Sequence, residues 1–371
     1  MYLQKISLIN FKNYADEELE FCEKINCFVG DNGEGKTNLL DAIHYLSFCK
    51  SYFNPIDSQN IKHDADFFVI QGTNLKSESL DVIYCAQKRN ERKQFKLNKK
   101  EYSRFSDHIG LYPLVMISPA DYGLINEGSE ERRRYIDSVI SQFDKIYLDN
   151  LINYNKVLLQ RNILLKQFAE SRSFDKSSLE IWSNKLVMLG QKIYEKRLTF
   201  LDQFLPIFRK FFAFISGGKE NVDIDYQSQL SDGNFEKQLN DALERERTLR
   251  YSIVGTHKDD LQFNIDTYPL KRYGSQGQQK SFIIALKLAQ FEYTKNIKGF
   301  KPILLFDDIF DKLDNFRVEQ LMKLVSNDSF GQVFVTDAHP ERIRTIFNDI
   351  NTELKVFEIK KGTATEVTTG Q

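Results

Sequence analysis

The chain has 371 residues, of which 28% are charged and 41% hydrophobic, with a formal net charge of −1. That length is ample for two or three lobes with a proper core, and the apolar share is ordinary for a globular protein. Near-neutral charge gives no global sign of nucleic-acid binding, so any such claim rests on local patches.

Four cysteines, Cys22, Cys27, Cys49 and Cys85, show no C-x-x-C spacing and no nearby histidine pair, so neither a zinc site nor a disulfide framework is indicated. Reduced core thiols are expected. The opening Met1 to Ile6 enters strand-like alternation with no signal peptide, and no apolar run approaches the ~18 residues of a membrane span. The expectation is a cytoplasmic protein with no membrane partner.

Residues 1–30 read as β structure with turns: Leu3 to Ile9, Leu19 to Phe21, and the buried run Ile25 to Val29. Between the first two lies Asn10-Phe11-Lys12-Asn13-Tyr14, which either lends a polar or basic side chain to the site that follows or is a turn with an anchoring aromatic. That site is Gly30-Asp31-Asn32-Gly33-Glu34-Gly35-Lys36-Thr37, a full match to G-x-x-x-x-G-K-[ST]. A helical pattern from Asn38 to Leu46 follows it, so the strand, loop and helix context is complete. Glycines turn backbone N–H groups inward around a β-phosphate, and the helix N-terminus adds its dipole and unpaired amides. Lys36 is expected to bridge the β- and γ-phosphates, and Thr37 to ligate Mg²⁺.

Further strands are expected at Phe67 to Ile70, Leu80 to Tyr84, Phe95 to Leu97 with a turn at Asn98-Lys99, and Leu114 to Ile117, together an antiparallel sheet flanking the cradle. Lys88 to Lys100 is strongly basic and hairpin-like; it is either a solvated face or a strip that tracks nucleic-acid phosphates. A loop from Ser118 to Ile125 leads to Gly128-Ser129-Glu130-Glu131-Arg132-Arg133-Arg134-Tyr135-Ile136-Asp137. Ser129 is expected to cap a helix there, and the three arginines to serve an anion or a carboxylate network.

From residue 130 to about 215 the pattern is helical, broken at Ser171 to Ser178. This predicts a helical hairpin whose sides each run about 35–40 residues, roughly 55 Å at 1.5 Å per residue, closed by Ser216-Gly217-Gly218. Residues 252–371 return to α/β character, and Gly362 to Gln371 reads as a frayed tail. Lys301 to Asp308 is a buried strand ending in two acids: Asp307 suits a Mg²⁺ hydration shell and Asp308 the orientation or deprotonation of an attacking water. Gly274-Ser275-Gln276-Gly277-Gln278-Gln279 opens another helix with an anion-binding N-terminus. One chain does not need two such sites for a single triphosphate, so this one is expected to complete the pocket of another subunit.

Taken together, Ile6 to Tyr14, Asn38 to Ile43, Ser129 to Asp137, Gly255-Thr256-His257-Lys258-Asp259-Asp260-Leu261 and Gly274 to Gln279 resemble the RecF family of ABC-type ATPases related to SMC proteins, over essentially the full length. The chain departs from that family at Thr256 and Lys258, where proline and arginine are usual. His339 stands near the place of the ABC switch histidine, with an ordinary loop histidine as the default reading. The resemblance implies an α/β fold: an ABC-type ATPase head (a P-loop NTPase) with a flanking antiparallel β-sheet and an inserted all-helical lobe. Its parts are expected at 1–128 (head with the cradle), 129–251 (helical arm lobe) and 252–371 (head with signature and acidic strand).

The implied function is an ATP-dependent DNA-binding protein of recombinational repair and replication restart. It is expected to act at gaps and stalled forks with RecR and RecO-like mediators to load recombinase. ATP is expected on Gly30, Asp31, Asn32, Gly33, Glu34, Gly35, Lys36, Thr37 and Asn38 of one subunit. Ser275, Gln276, Gly277 and Gln278 of a second copy would close on it, giving an ATP-dependent homodimer clamped on double-stranded, gapped or single-stranded DNA. Hydrolysis, aided by Asp308, is expected to be slow. Three alternatives stand beside this reading. A transporter-type ATPase brings cradle and signature much closer together in sequence, an SMC-like DNA tether carries a coiled coil several times longer, and a regulatory module uses ATP without turnover.

Overall fold

The computed structural model describes residues 1–76, 78–310, 315–326, 329–347 and 352–367. The chain forms two compact units, the first made of residues 1–122, 211–219 and 276–371, the second of 123–210 and 220–275. The second unit runs to Ser275.

In the first unit, β1 (Tyr2–Phe11) pairs antiparallel with β2 (Tyr14–Glu20). Next come β3 (Ile25–Val29) and α1 (Lys36–Phe48), then β4 (Phe67–Lys76), β5 (Ser79–Lys88), β6 (Gln94–Leu97), β7 (Lys100–Glu101) and β8 (Leu114–Ile117). An antiparallel sheet runs β2-β1-β4-β5-β6-β7. Its inward residues Leu3, Ile6, Leu8, Phe68, Ile70, Ile83, Cys85 and Phe95 share one core with Leu39, Leu40, Ile43 and Leu46 of α1. Alternation along β4 and β5 supplies that face, as expected for a sheet with one solvated side.

In the second unit, α2 (Gly123–Asn126), α3 (Ser129–Ser141), α4 (Lys145–Ser171) and α5 (Lys176–Ser216) come first, residues 211–216 at the end of α5 belonging to the first unit. Then follow β9 (Val222–Gln227), α6 (Phe235–Asp241), α7 (Leu243–Leu249), β10 (Asp260–Ile265), β11 (Tyr268–Pro269) and α8 (Leu270–Tyr273). The lobe is therefore helical with a small β11-β10-β9 sheet added, because β9 returns to pair with β10.

The hairpin is asymmetric: α4 has 27 residues and α5 has 41. Asp144 ends the preceding turn and caps α4 by accepting the Tyr147 N–H at 2.8 Å, which separates α3 from α4. Gly128, not Ser129, stands at the N-cap of α3; the Ser129 hydroxyl accepts instead from Arg133 Nη1 at 2.7 Å.

Back in the first unit, α9 (Gln276–Lys298), β12 (Ile303–Asp307), α10 (Asn315–Ser326), β13 (Val333–Asp337), α11 (Pro340–Phe347), β14 (Leu354–Lys360) and β15 (Thr363–Val367) complete the chain. The central sheet runs β15-β14-β3-β13-β12-β8, parallel except for β15. Two expectations change here. β8 does not join the antiparallel sheet but pairs parallel with β12, and residues 363–367 of the expected tail form β15; residues 368–371 lie outside the described residues. Strands β3, β12 and β13 are buried throughout, as parallel strands covered on both faces require. They bring the carboxyl ends of β3, β13 and β12 side by side, the place where open α/β sheets hold ligands.

Candidate functional site

The loop from Gly30 to Gly35 joins β3 to α1 and is built on glycine where nothing larger fits. Gly30 has φ +148°, and a Cβ there would lie 2.4 Å from the Ile359 carbonyl oxygen; at Gly35, φ is +120° and a Cβ would meet Asn13 at 2.4 Å. Asn13 is the loop's brace. Its amide donates to the Glu34 carbonyl at 2.8 Å and its oxygen accepts from Asn38 at 2.8 Å, while the Tyr14 hydroxyl donates to the Gly35 carbonyl at 3.1 Å. The segment before the cradle is thus a turn anchored by the buried rings of Phe11 and Tyr14, and its Asn13 supports the loop.

A cleft of about 170 Å³ opens over this loop, lined by Asn32, Gly33, Gly35, Lys36, Thr37, Asn38, Asp308 and Thr336. Lys36 is buried, and its ammonium donates to the carbonyls of Gly30 at 2.5 Å and Asp31 at 2.8 Å. Burial lowers its pKa, opposed by the nearby carboxylates of Asp308, Asp307, Asp337 and Asp31. Glu34 differs: its carboxylate turns away to accept the Lys361 N–H at the β14–β15 turn, so its place in the cradle is held by backbone alone.

Asp307 ends β12 and is clamped by three hydroxyls. Thr37 donates to Oδ1 at 2.8 Å, Thr336 to Oδ1 at 3.0 Å and Ser118 to Oδ2 at 3.2 Å. Burial raises its pKa, and those three hydrogen bonds together with Lys36 pull it back. Asp308 follows at φ +47°, a left-handed conformation uncommon for a non-glycine residue, and its N–H donates to Thr336 Oγ1 at 2.9 Å. Among the described residues no group of three or more His, Cys, Asp or Glu is placed to hold a metal unaided. The Thr37 hydroxyl and the Asp307 carboxylate are oxygen donors of the kind that could hold a divalent ion together with phosphate and water oxygens.

The signature residues take a different place. Ser275 ends the second unit, and Gln276, Gly277 and Gln278 form the first turn of α9 without lining the cleft. Arg317, which sequence reasoning did not single out, braces that turn: its Nε donates to Ser281 Oγ at 2.7 Å, and Ser281 donates on to the Gly277 carbonyl at 3.0 Å. His339 is exposed just past β13, its N–H donating to Asp337 Oδ1 at 2.7 Å. Ser118 and Thr336 were likewise unmarked in the sequence.

The remaining charged motifs resolve toward structure. Arg132 grips Asp260 with Nε at 2.7 Å and Nη2 at 3.0 Å, Arg133 donates to the Asp259 carbonyl, and Arg134 pairs with Glu130 and Glu131. Arg132 and Arg134 thus pair with carboxylates, whereas Arg133 bonds the Ser129 hydroxyl and the Asp259 backbone carbonyl. In the basic hairpin Lys93 turns inward, 2.7 Å from Asp57 and donating to the Cys49 carbonyl at 2.6 Å, whereas Lys99 and Lys100 are exposed. All four cysteines are free and buried.

This arrangement has known counterparts. The RecF/RecN/SMC N terminal domain profile matches residues 2–365. The DNA replication and repair protein RecF of Phocaeicola vulgatus is 51% identical over 99% of this chain and 98% of its own length. The protein of the same description from Flavobacterium johnsoniae is 51% identical over 97% of this chain and all of its own. The chain belongs to the RecF family. A solved recombination mediator protein RecF with ATP, of the RecFOR pathway, superposes with a TM-score of 0.90 at 31% identity, covering 99% of this chain and 98% of that one. An Smc head domain from Pyrococcus furiosus shares the fold alone, with a TM-score of 0.57 at 18% identity over 99% of this chain and 96% of that one. The RecF-family fold thus holds cradle and acidic strand within one unit of this chain. Among the described residues, no helix is long and apolar enough to cross a membrane.

Proposed function

We propose that this RecF-family chain is a Mg²⁺-dependent ATPase of recombinational repair and replication, which uses ATP to close two copies of itself on DNA. The observation that carries the reading is the meeting of Lys36, Thr37, Asp307 and Asp308 around one cleft. Loop amides and Lys36 hold the β- and γ-phosphates, with the lysine leaving the Gly30 and Asp31 carbonyls to do so. Thr37 and Asp307 would hold Mg²⁺, which would neutralise charge on the phosphoryl oxygens. Asp308 orients the attacking water and takes its proton; its short side chain fits slow turnover. Ser275, Gln276, Gly277 and Gln278 of a second copy complete the pocket, so that nucleotide joins the two copies and hydrolysis parts them.

DNA is held mainly through backbone phosphates, with exposed Lys99 and Lys100 of the hairpin as the contact candidates. RecR and RecO-like mediators are the protein partners this reading assigns. The test is the molar mass in solution with and without ATP for the intact chain, Lys36→Ala, Ser275→Arg and Asp308→Asn, with DNA binding followed in parallel. The expected result is an ATP-dependent dimer that the first two variants abolish and Asp308→Asn prolongs, with DNA binding tracking the dimer. A mass indifferent to ATP in all four proteins overturns the shared-site mechanism.

A further inference from the structure

A buried polar circuit starts and ends on α1. From Thr37 it passes to Asp307 and on to Ser118, as described above. The Ser118 N–H donates to Asp121 Oδ2 at 2.8 Å, and the Tyr52 hydroxyl donates to Asp121 Oδ1. Tyr52 in turn donates its N–H to Asp41 Oδ1 at 2.6 Å, and Asp41 stands one turn after Thr37 on α1. Lys287 of α9 joins this ring, 2.6 Å from Asp121 Oδ1 and donating to the Tyr52 hydroxyl at 3.0 Å, while Ser51 and Lys12 bind Asp41 and Thr336 binds Asp307. Ser118, Asp121, Asp41 and Lys287 are each buried.

The arrangement is costly as mere packing. A buried lysine and carboxylate are desolvated, and replacing such a pair by apolar groups is often neutral or stabilising. Ser118 also sits just past β8, an edge strand held only by β12 among the described strands, so its position is not fixed by neighbours on both sides. The Asp121 carboxylate supplies the missing constraint. It holds Ser118, and Ser118 holds the second oxygen of Asp307.

We propose that Ser118, Asp121 and Lys287 are positioning residues that set the orientation of the Asp307 carboxylate toward the metal, with Lys287 linking that orientation to the helix whose first turn carries Gln276 to Gln278. The inference rests on the nucleotide reading above. It assigns no contact between these residues and the substrate; they act through Asp307. Outer partners of this kind tune how well a ligating group is presented.

The test uses the full-length chain with Ser118→Ala, the double variant Asp121→Ala/Lys287→Met, which removes both buried charges together, and Lys287→Arg, which keeps the donor. Two binding constants are read: that of a fluorescent ATP analogue in EDTA, and that of Mn²⁺, by electron paramagnetic resonance, in the presence of a non-hydrolysable analogue. The expected result is metal-free nucleotide affinity within about twofold of the parent but Mn²⁺ affinity about tenfold weaker in the first two variants, with Lys287→Arg close to the parent. Equal Mn²⁺ affinity in all four proteins overturns the positioning role, even if the unfolding midpoint falls. Loss of metal-free nucleotide binding in step with Mn²⁺ binding also overturns it, since that marks general damage to the cleft. A parent chain that does not bind the analogue at all overturns the nucleotide reading itself, and this inference with it.

Discussion

Thr37 and Asp307 lie 270 residues apart in sequence and share a 2.8 Å hydrogen bond between the first turn of α1 and the last residue of β12. That bond ties the phosphate loop to the acidic strand inside one unit. Asp307→Asn keeps an acceptor for Thr37 but removes the charge a cation needs. We expect Mg²⁺-dependent hydrolysis to fall by at least about a hundredfold, while nucleotide binding measured in EDTA changes little. Steady-state phosphate release and a titration with a fluorescent ATP analogue check the two halves of this expectation.

The loop's brace gives a second expectation. Asn13→Ala removes the hydrogen bonds to the Glu34 carbonyl and to Asn38, each worth about 1 kcal/mol net, on a loop whose shape is the binding site. Nucleotide affinity should weaken about tenfold, with the unfolding midpoint shifted by a few degrees at most. Gly30→Ala is harsher: the added methyl lies 2.4 Å from backbone that cannot step aside, at a φ of +148°. A loss of more than about 2 kcal/mol of stability is expected, read as a lower denaturant midpoint.

Much of this was legible in the sequence, and the exceptions share a cause. The cradle, β3, α1 and the acidic strand announce themselves by local pattern: glycine spacing, an apolar run, helical periodicity. β8 could be found as Leu114 to Ile117 but not assigned to a sheet, because four apolar residues in a row look the same in either, and only its pairing with β12 decides. Ser118 and Thr336 carry no pattern at all, and Asn13 was marked only as one member of a segment close to the cradle. Each acts through one hydroxyl or amide brought to Asp307 or to the loop by strands distant in sequence. The α3–α4 break lacks glycine and proline; Asp144 as a capping residue was its one local signal.

The basic hairpin separates charge that binds from charge that folds. Lys93 is buried against Asp57, so Lys93→Ala leaves that carboxylate without this cation, with the Tyr45 hydroxyl as a remaining donor. This should cost about 3 kcal/mol, at the lower end for broken buried pairs because Asp57 keeps some contact with water. Lys99→Glu with Lys100→Glu should leave the unfolding midpoint unchanged yet weaken DNA binding and flatten its dependence on salt. Denaturant unfolding and fluorescence anisotropy at several salt concentrations distinguish the two classes; equal DNA affinity in the double variant removes the hairpin from the DNA surface.

Three histidines make stability depend on pH. Burial lowers the pKa of His44, His108 and His257 to about 4, below the 6.5 of an exposed imidazole. Between these values the unfolded chain binds protons that the folded chain refuses, so stability is full above about pH 6.5 and declines as pH falls toward 4. From pH 7.5 to 5 each histidine should remove roughly 2 kcal/mol. Asp259 and Asp307, raised by burial, work in the opposite direction at lower pH, so the histidine share is isolated by comparing variants. His108 Nε2 donates to the Leu46 carbonyl at 2.7 Å and its Nδ1 accepts from the Tyr102 hydroxyl at 3.2 Å, contacts that a glutamine partly reproduces. Denaturant midpoints of the parent and His108→Gln at pH 7.5 and 5.0 should differ in slope, the variant losing less. Equal slopes would mean that His108 takes up its proton in the fold as readily as in the unfolded chain.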